Sequence, residues 1–326
     1  MHGVRLLPAC LDLGRRPRLS IQNVVSIGGP VFKPRPAEYG PGAGAARFGI
    51  FKDSDIEETD IEVKDIEVKV MAQLEIFQFP TRSDNYGVLI HDPKTGATAS
   101  IDAPEAAPIL AALAQKGWDL TDILVTHHHA DHTAGIGALK NRYGCTVYGP
   151  AREAGLIPGL DVEVKEGDTV SVGHADATVI DTSGHTRGHV SYYFPDQAPV
   201  FVGDTLFSVG CGKLLEGDAP TMWASLSKLA ALPPETDVYC GHEYTGANCR
   251  FALTIEPDNA ALRARAAEVA ENDANGRPSL PTTIGLERAT NPFLRASSPE
   301  IQARLGLEGQ PLEAVFGEVR RRKDRF

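Results

Sequence analysis

From residue 74 onward, hydrophobic and polar positions alternate in short bursts, interrupted by turn-forming residues. This is the signature of strands that bury one face. Alternation over 74–79, 86–91 and 97–101 predicts three strands separated by Asp84-Asn85 and Pro93-Lys94-Thr95-Gly96 turns. Alanines and leucines at helical spacing predict a helix over 104–116. The apolar run 120–126 reads as a buried strand, and 133–143 reads as a second helix stopped by Gly144. Short strands follow over 146–148, 162–164, 169–172, 177–181, 190–194 and 200–202, then a helix over 222–232 and a last strand over 238–240. Beyond residue 245 no strand pattern recurs, and helices are expected near 259–272, 299–305 and 311–323. Strands first and helices last point to an α/β protein, a two-sheet sandwich with a helical C-terminal region.

The first 70 residues have a different texture. Residues 1–52 hold 14 Gly or Pro and no sustained hydrophobic period, so a disordered leader is expected there. A tandem repeat follows, Asp60-Ile-Glu-Val-Lys64 and Asp65-Ile-Glu-Val-Lys69, and then Met71, which reads as an alternative start.

Composition narrows the class. Of 326 residues, 42% are hydrophobic and 23% charged, as in ordinary globular proteins, and no uncharged apolar run reaches the ~18 residues of a membrane span. The net charge is −11. Residues 1–52 carry eight Lys/Arg against two acids, and residues 53–70 carry eight acids against two lysines. These cancel, and the whole deficit falls on residues 71–326. An acidic body argues against nucleic acid and membrane surfaces as partners. Five cysteines without a Cys-x-x-Cys pair suggest neither a disulfide framework nor a zinc knuckle, so a reducing compartment, the cytoplasm, is expected.

The chemistry concentrates in Asp122-Ile-Leu-Val-Thr126-His127-His128-His129-Ala130-Asp131-His132, where a buried strand runs into imidazoles and a carboxylate. These are donors for zinc or another borderline metal. His127 and His129, two apart on extended chain, point the same way. A solvated His-rich turn is the bland alternative. Against it, the pattern of strand, glycine and donor recurs in Gly184-His185, in Gly203-Asp204 and in Gly241-His242.

Thr126-His-x-His-x-Asp-His132, followed by Gly-His, Gly-Asp and Gly-His, resembles the metallo-β-lactamase superfamily, with its αβ/βα sandwich. Within it, Gly203-Asp-Thr-Leu-Phe207, Gly210-Cys-Gly-Lys213, Cys240-Gly-His-Glu-Tyr-Thr245, Asn291-Pro-Phe-Leu-Arg295 and Arg320-x-x-Lys323-Asp324 are similar to glyoxalase II, the hydroxyacylglutathione hydrolases. The resemblance implies a catalytic domain over 71–244 and a helical substrate-binding region over 245–326. It implies two divalent metal ions, zinc before iron or manganese, with His127, His129 and His185 at one and Asp131, His132 and His242 at the other. Asp204 would bridge them, and Asp131 would orient a metal-bound hydroxide. The implied partner is a small-molecule glutathione thioester, S-D-lactoylglutathione above all, cleaved in the second step of methylglyoxal detoxification. Its carboxylates would meet Lys213, Arg320 and Lys323, with Tyr244 as a hydroxyl donor. His189 reads as a supporting histidine rather than a ligand, and His128 as the variable position. Leu215, two residues after Lys213, stands where the family often has an aromatic, and Ser183 where it often has proline. Another thioester hydrolase of the same fold or a persulfide dioxygenase with a single iron is the rival enzyme, and the dioxygenase would leave the second donor set and the basic tail without a task.

Overall fold

The computed structural model describes residues 74–326; the expectations for residues 1–70 lie outside them. Sheet one runs β1 (Glu75–Thr81), β2 (Asn85–His91), β3 (Thr98–Ile101), β4 (Asp122–Leu124), β5 (Thr146–Pro150) and β6 (Val162–Val164), in that spatial order. Its first three strands are antiparallel neighbours, and β3 to β6 are parallel. Parallel neighbours need crossovers, which α1 (Ala106–Lys116), α2 (Ala130–Thr133) with α3 (Ile136–Tyr143), and a 3-10 turn at Ala151–Leu156 provide.

Sheet two is built from β7 (Thr169–Val172), β8 (Ala175–Asp181), β9 (Val190–Tyr193) and β10 (Pro199–Gly203). A small hairpin of β11 (Leu206–Phe207) and β12 (Gly210–Cys211) follows, then α4 (Ala219–Ala230) and β13 (Asp237–Cys240). Next come α5 (Thr245–Ile255), α6 (Ala260–Ala274), β14 (Thr282–Thr283), α7 (Ile284–Thr290), α8 (Pro299–Leu305) and α9 (Leu312–Arg325). The spatial order of sheet two is β14-β13-β10-β9-β8-β7.

The period-two pattern explains the layering. On β2, Val88 and Ile90 face the other sheet among Val170, Val179, Tyr192 and Phe201, while Leu89 between them packs outward with Ile109, Leu113 and Leu139 of α1 and α3. The opposite face of sheet two, with Val200 and Val238, is covered by Met222 and Leu226 of α4 and by Phe316 and Val319 of α9. The result is helix, sheet, sheet, helix, the sandwich expected from the sequence.

Three expectations need correction. A strand does lie beyond residue 245: β14 pairs with β13 through Thr282 and Thr283, two residues too short to show alternation. The helix expected over 133–143 begins only at Ile136: Thr133 ends a separate short helix, and Gly135 between them sits against the backbone of Ala103 and Glu105, where an added Cβ would stand 2.8 Å from Ala106 N. The helix expected to begin at 222 begins at Ala219, where the Asp218 carboxylate caps it by accepting from Thr221 N at 2.9 Å.

Candidate metal centre

Strand ends converge on one edge of the sandwich. Asp102 follows β3, the His127–His132 loop follows β4, His185 follows β8, Asp204 follows β10 and His242 follows β13. Two glycines let these loops close. Gly203 has φ +47°, and a Cβ there would lie 2.5 Å from Thr126 Oγ1. A Cβ on Gly241 would lie 2.5 Å from Asp204 Oδ1.

All seven donors read from the sequence come together. His127, His129 and His185 form one group and Asp131, His132 and His242 another, each with its donor atoms within 4.8 Å of one another. His129 Nδ1 stands 3.1 Å from both His127 Nε2 and His185 Nε2. His242 Nε2 lies 3.4 Å from Asp131 Oδ2, and His132 Nε2 lies 3.8 Å from the same oxygen. Asp204 stands between the groups, with Oδ2 3.6 Å from His185 Nε2 and 3.3 Å from His242 Nε2. A tetrahedral ion with bonds of ~2.0–2.1 Å keeps its donors ~3.3 Å apart, so both groups have the right spacing. Buried His132 Nε2 and Asp204 Oδ1 face each other at 3.4 Å, and neither makes a hydrogen bond. Buried polar atoms left bare in this way call for a cation. The donor set fits two divalent ions.

The surroundings fix which ring nitrogen is free. His132 Nδ1 donates to Asp102 Oδ2 at 2.7 Å, His242 Nδ1 to Asp84 Oδ1 at 3.1 Å, and His185 Nδ1 to the Lys213 carbonyl at 2.9 Å. His127 Nδ1 lies 3.0 Å from the Thr126 hydroxyl, which itself donates to Asp102. Each bond leaves Nε2 as the ring nitrogen that faces the centre. Asn85 Nδ2 donates to the Asp131 carboxylate at 3.4 Å and holds it from the other strand. His189, by contrast, uses Nε2 to accept from Asp204 N at 3.1 Å, so its lone pair is committed to shaping the Asp204 loop.

Electrostatics divide the centre. Burial, with His132 nearby, holds His127 well below the usual imidazole range, and burial with His185 lowers His129, so these rings are neutral donors. Burial pushes His132 down as well, but Asp204 and Asp102 outweigh it and raise it well above its ordinary value. His242 is lifted to about 9, its hydrogen bonds to Asp131 and Asp204 overcoming burial. Asp131 is held below the carboxylate range chiefly by the His242 ring. The second group therefore attracts positive charge, which a divalent ion supplies.

Sequence reasoning missed Asp102, Asp84, Asn85 and Glu153. For Asp102 a signal existed: it follows a strand end, as His127, Asp204 and His242 do.

The four residues read as substrate contacts flank the centre. Lys213 is exposed beside β12, and its carbonyl holds His185. Tyr244 stacks on the His242 ring at 4.7 Å and 6°. Lys323 Nζ donates to the Ala247 carbonyl at 3.3 Å, in the first turn of the helix that Tyr244 precedes. Arg320 is only 4% exposed: Nη1 donates to the Cys211 carbonyl at 2.9 Å, and Nε and Nη2 engage Asp324 at 3.1 and 2.8 Å. Helix α9 thus braces both the Lys213 and the Tyr244 segments.

Residues 87–242 match the metallo-beta-lactamase superfamily, and residues 243–326 match the hydroxyacylglutathione hydrolase C-terminus. A hydroxyacylglutathione hydrolase of Rhizobium meliloti (strain 1021) is 55% identical over 256 residues, 78% of this chain and 100% of its own length. The chain belongs to the hydroxyacylglutathione hydrolase family. Another member, the hydroxyacylglutathione hydrolase of Brucella anthropi, is 58% identical over 257 residues, 79% of this chain and 99% of its own. Among solved structures, ETHE1 from Myxococcus xanthus superposes with a TM-score of 0.54 at 28% identity, covering 77% of this chain and 100% of that one. The BLEG-1 B3 metallo-beta-lactamase shares the fold, with a TM-score of 0.53 at 22% identity over 68% of this chain and 99% of its own. The match to the hydroxyacylglutathione hydrolase C-terminus accounts for the helical region that follows β13.

Proposed function

We propose that the chain hydrolyses 2-hydroxyacylglutathione thioesters, with S-D-lactoylglutathione as reference substrate, to glutathione and a free 2-hydroxy acid. The observation that carries this reading is the pair of three-donor groups joined by Asp204, in a chain whose C-terminal part matches the hydroxyacylglutathione hydrolase C-terminus.

His127, His129 and His185 would hold one divalent ion and Asp131, His132 and His242 the other, with one Asp204 oxygen pair serving both. Zinc suits this set of nitrogens and carboxylates, and iron or manganese is accepted by the same donors. When bound, the ions acidify a water from a pKa of ~15.7 toward ~7 and polarise the thioester carbonyl. Asp131, ionised and 36% exposed at the side chain, would accept a hydrogen bond on its free oxygen and so orient the attacking water. The departing glutathione thiolate has a pKa near ~8.5 and leaves without a dedicated acid. Atoms balance as thioester plus water giving carboxylic acid plus thiol.

Glutathione carries two carboxylates, which an acidic protein binds only where positive charge is concentrated. Lys213 and Lys323 supply that charge, Tyr244 presents its hydroxyl beside His242, and Arg320 adds positive potential from beneath while holding the Cys211 carbonyl. Four free, buried cysteines among the described residues accord with a reducing compartment such as the cytoplasm. No helix among the described residues is long and apolar enough to cross a membrane. The test is thiol release from S-D-lactoylglutathione by the metal-loaded chain; bound metal without thiol release refutes the substrate.

A further inference from the structure

Glu153 has no task in the reading above, yet it is buried at 2% exposure beside the metal centre. It sits on the 3-10 turn Ala151–Leu156, outside every ligand-bearing loop. Oε2 accepts from His128 N at 2.8 Å and meets the ring of the same residue, Nδ1, at 2.9 Å. Oε1 accepts from Gly188 N at 2.8 Å. One carboxylate therefore ties the peptide between His127 and His129 to the loop that carries His185. The approach is close enough to exclude a side chain, since a Cβ on Gly188 would lie 2.8 Å from Glu153 Cγ. Glu216 adds a second tie on the far side of His128. Its Oε1 lies 3.4 Å from His128 Nε2, Oε2 accepts from Arg187 N at 3.1 Å, and its own N–H donates to the His185 carbonyl at 3.3 Å.

We propose that Glu153 is a positioning residue that sets the separation of His129 from His185, and so the affinity of the three-histidine group for its metal. The proposal rests on the two-metal reading of the centre. His129 Nδ1 and His185 Nε2, 3.1 Å apart, come from loops that share no strand pairing, so their spacing depends on ties of this kind. Supporting groups around a metal are typically worth ~10–100-fold in affinity. Glutamine at 153 keeps the shape but turns an NH2 group toward one of the donors that the carboxylate accepts, so one arm of the clasp becomes repulsive. His128 is held through both its backbone and its ring. Alanine there keeps the backbone N–H and the tie to Gly188.

The experiment titrates Co(II) into the metal-free full chain, reading visible absorption and chelator competition, for wild type, Glu153→Gln and His128→Ala. Thermal midpoints of the metal-free proteins are measured alongside. Wild type binds two ions. Glu153→Gln binds one of them ~10–100-fold more weakly, with an altered absorption band for that ion and the metal-free midpoint near wild type. His128→Ala keeps both affinities near wild type. The proposal is overturned if Glu153→Gln binds both ions as wild type does, or weakens both alike together with a fall in the metal-free midpoint. It is also overturned if His128→Ala weakens the same ion as much. Failure of wild type itself to bind two ions would instead overturn the two-metal reading, and that arm reads it alone.

Discussion

Asp102 Oδ2 accepts from His132 Nδ1 at 2.7 Å and from the Thr126 hydroxyl at 2.8 Å, so a single oxygen stands behind both donor groups. Through His132 it faces one group, and through Thr126 and His127 Nδ1 it reaches the other. Its backbone has φ +54°, a conformation that asparagine adopts readily. Asp102→Asn should therefore fold, but its amide can turn a donor toward His132 Nδ1 and shift the ring proton to Nε2, where the metal lone pair is needed. The expected outcome is ~10–100-fold weaker metal binding at both positions, read by chelator competition. Loss at neither position would contradict the tautomer argument.

Lys213 and Arg320 should separate by readout. Lys213 is exposed, so Lys213→Ala should raise KM about tenfold with kcat near wild type, the loss of one charged hydrogen bond of ~1.5 kcal/mol. Arg320 is committed to Cys211 O and Asp324 and lies 5.1 Å from the Phe293 ring centroid. Arg320→Ala should lower stability by ~1–3 kcal/mol, with a reduced thermal midpoint as well as a raised KM. Unchanged stability in Arg320→Ala would mean that its internal bonds carry no weight.

Asp92 joins the two sheets at their far end. Its carboxylate accepts from Lys94 N at 2.9 Å and from His174 N, on the turn between β7 and β8, at 2.8 Å. Burial alone would raise this carboxyl, but those N–H donors outweigh it and hold it well below the usual range. A depressed carboxyl stabilises the fold above its unfolded pKa of ~3.9, and that stabilisation is lost as pH falls below it. Asp92→Asn should cost ~1–3 kcal/mol at pH 7, and the gap from wild type should narrow below about pH 4 in denaturant titrations. A gap independent of pH would exclude the ionised carboxylate as its source.

The Rhizobium meliloti relative matches this chain over 256 residues and 100% of its own length. A chain starting at Met71 is therefore expected to keep full activity and metal content. Loss of either would place an essential element within residues 1–70.

The candidate donors were legible because they announce themselves locally: a strand and a glycine before His185, Asp204 and His242, and a strand running into His127, His129, Asp131 and His132. Their supports were not. Glu153 reaches His128 across 25 positions, and Asp84 reaches His242 across 158, distances at which no periodicity speaks. Helix α5 escaped notice because it starts directly after Tyr244 with no side-chain cap and buries Thr245, Asn248, Cys249 and Phe251 on several faces. The exposed, basic end of α9 was visible as charge, but that Arg320 would turn inward to Cys211 followed only from packing.

The central claim is that two ions held by His127, His129, His185, Asp131, His132 and His242 around Asp204 make this chain a glutathione thioesterase. The most direct measurement adds zinc stepwise to metal-free protein while following both bound metal and thiol release from S-D-lactoylglutathione. Activity rising to a plateau at two bound ions per chain is the expected result. Two ions bound with no thiol released, or full activity at one, would contradict it.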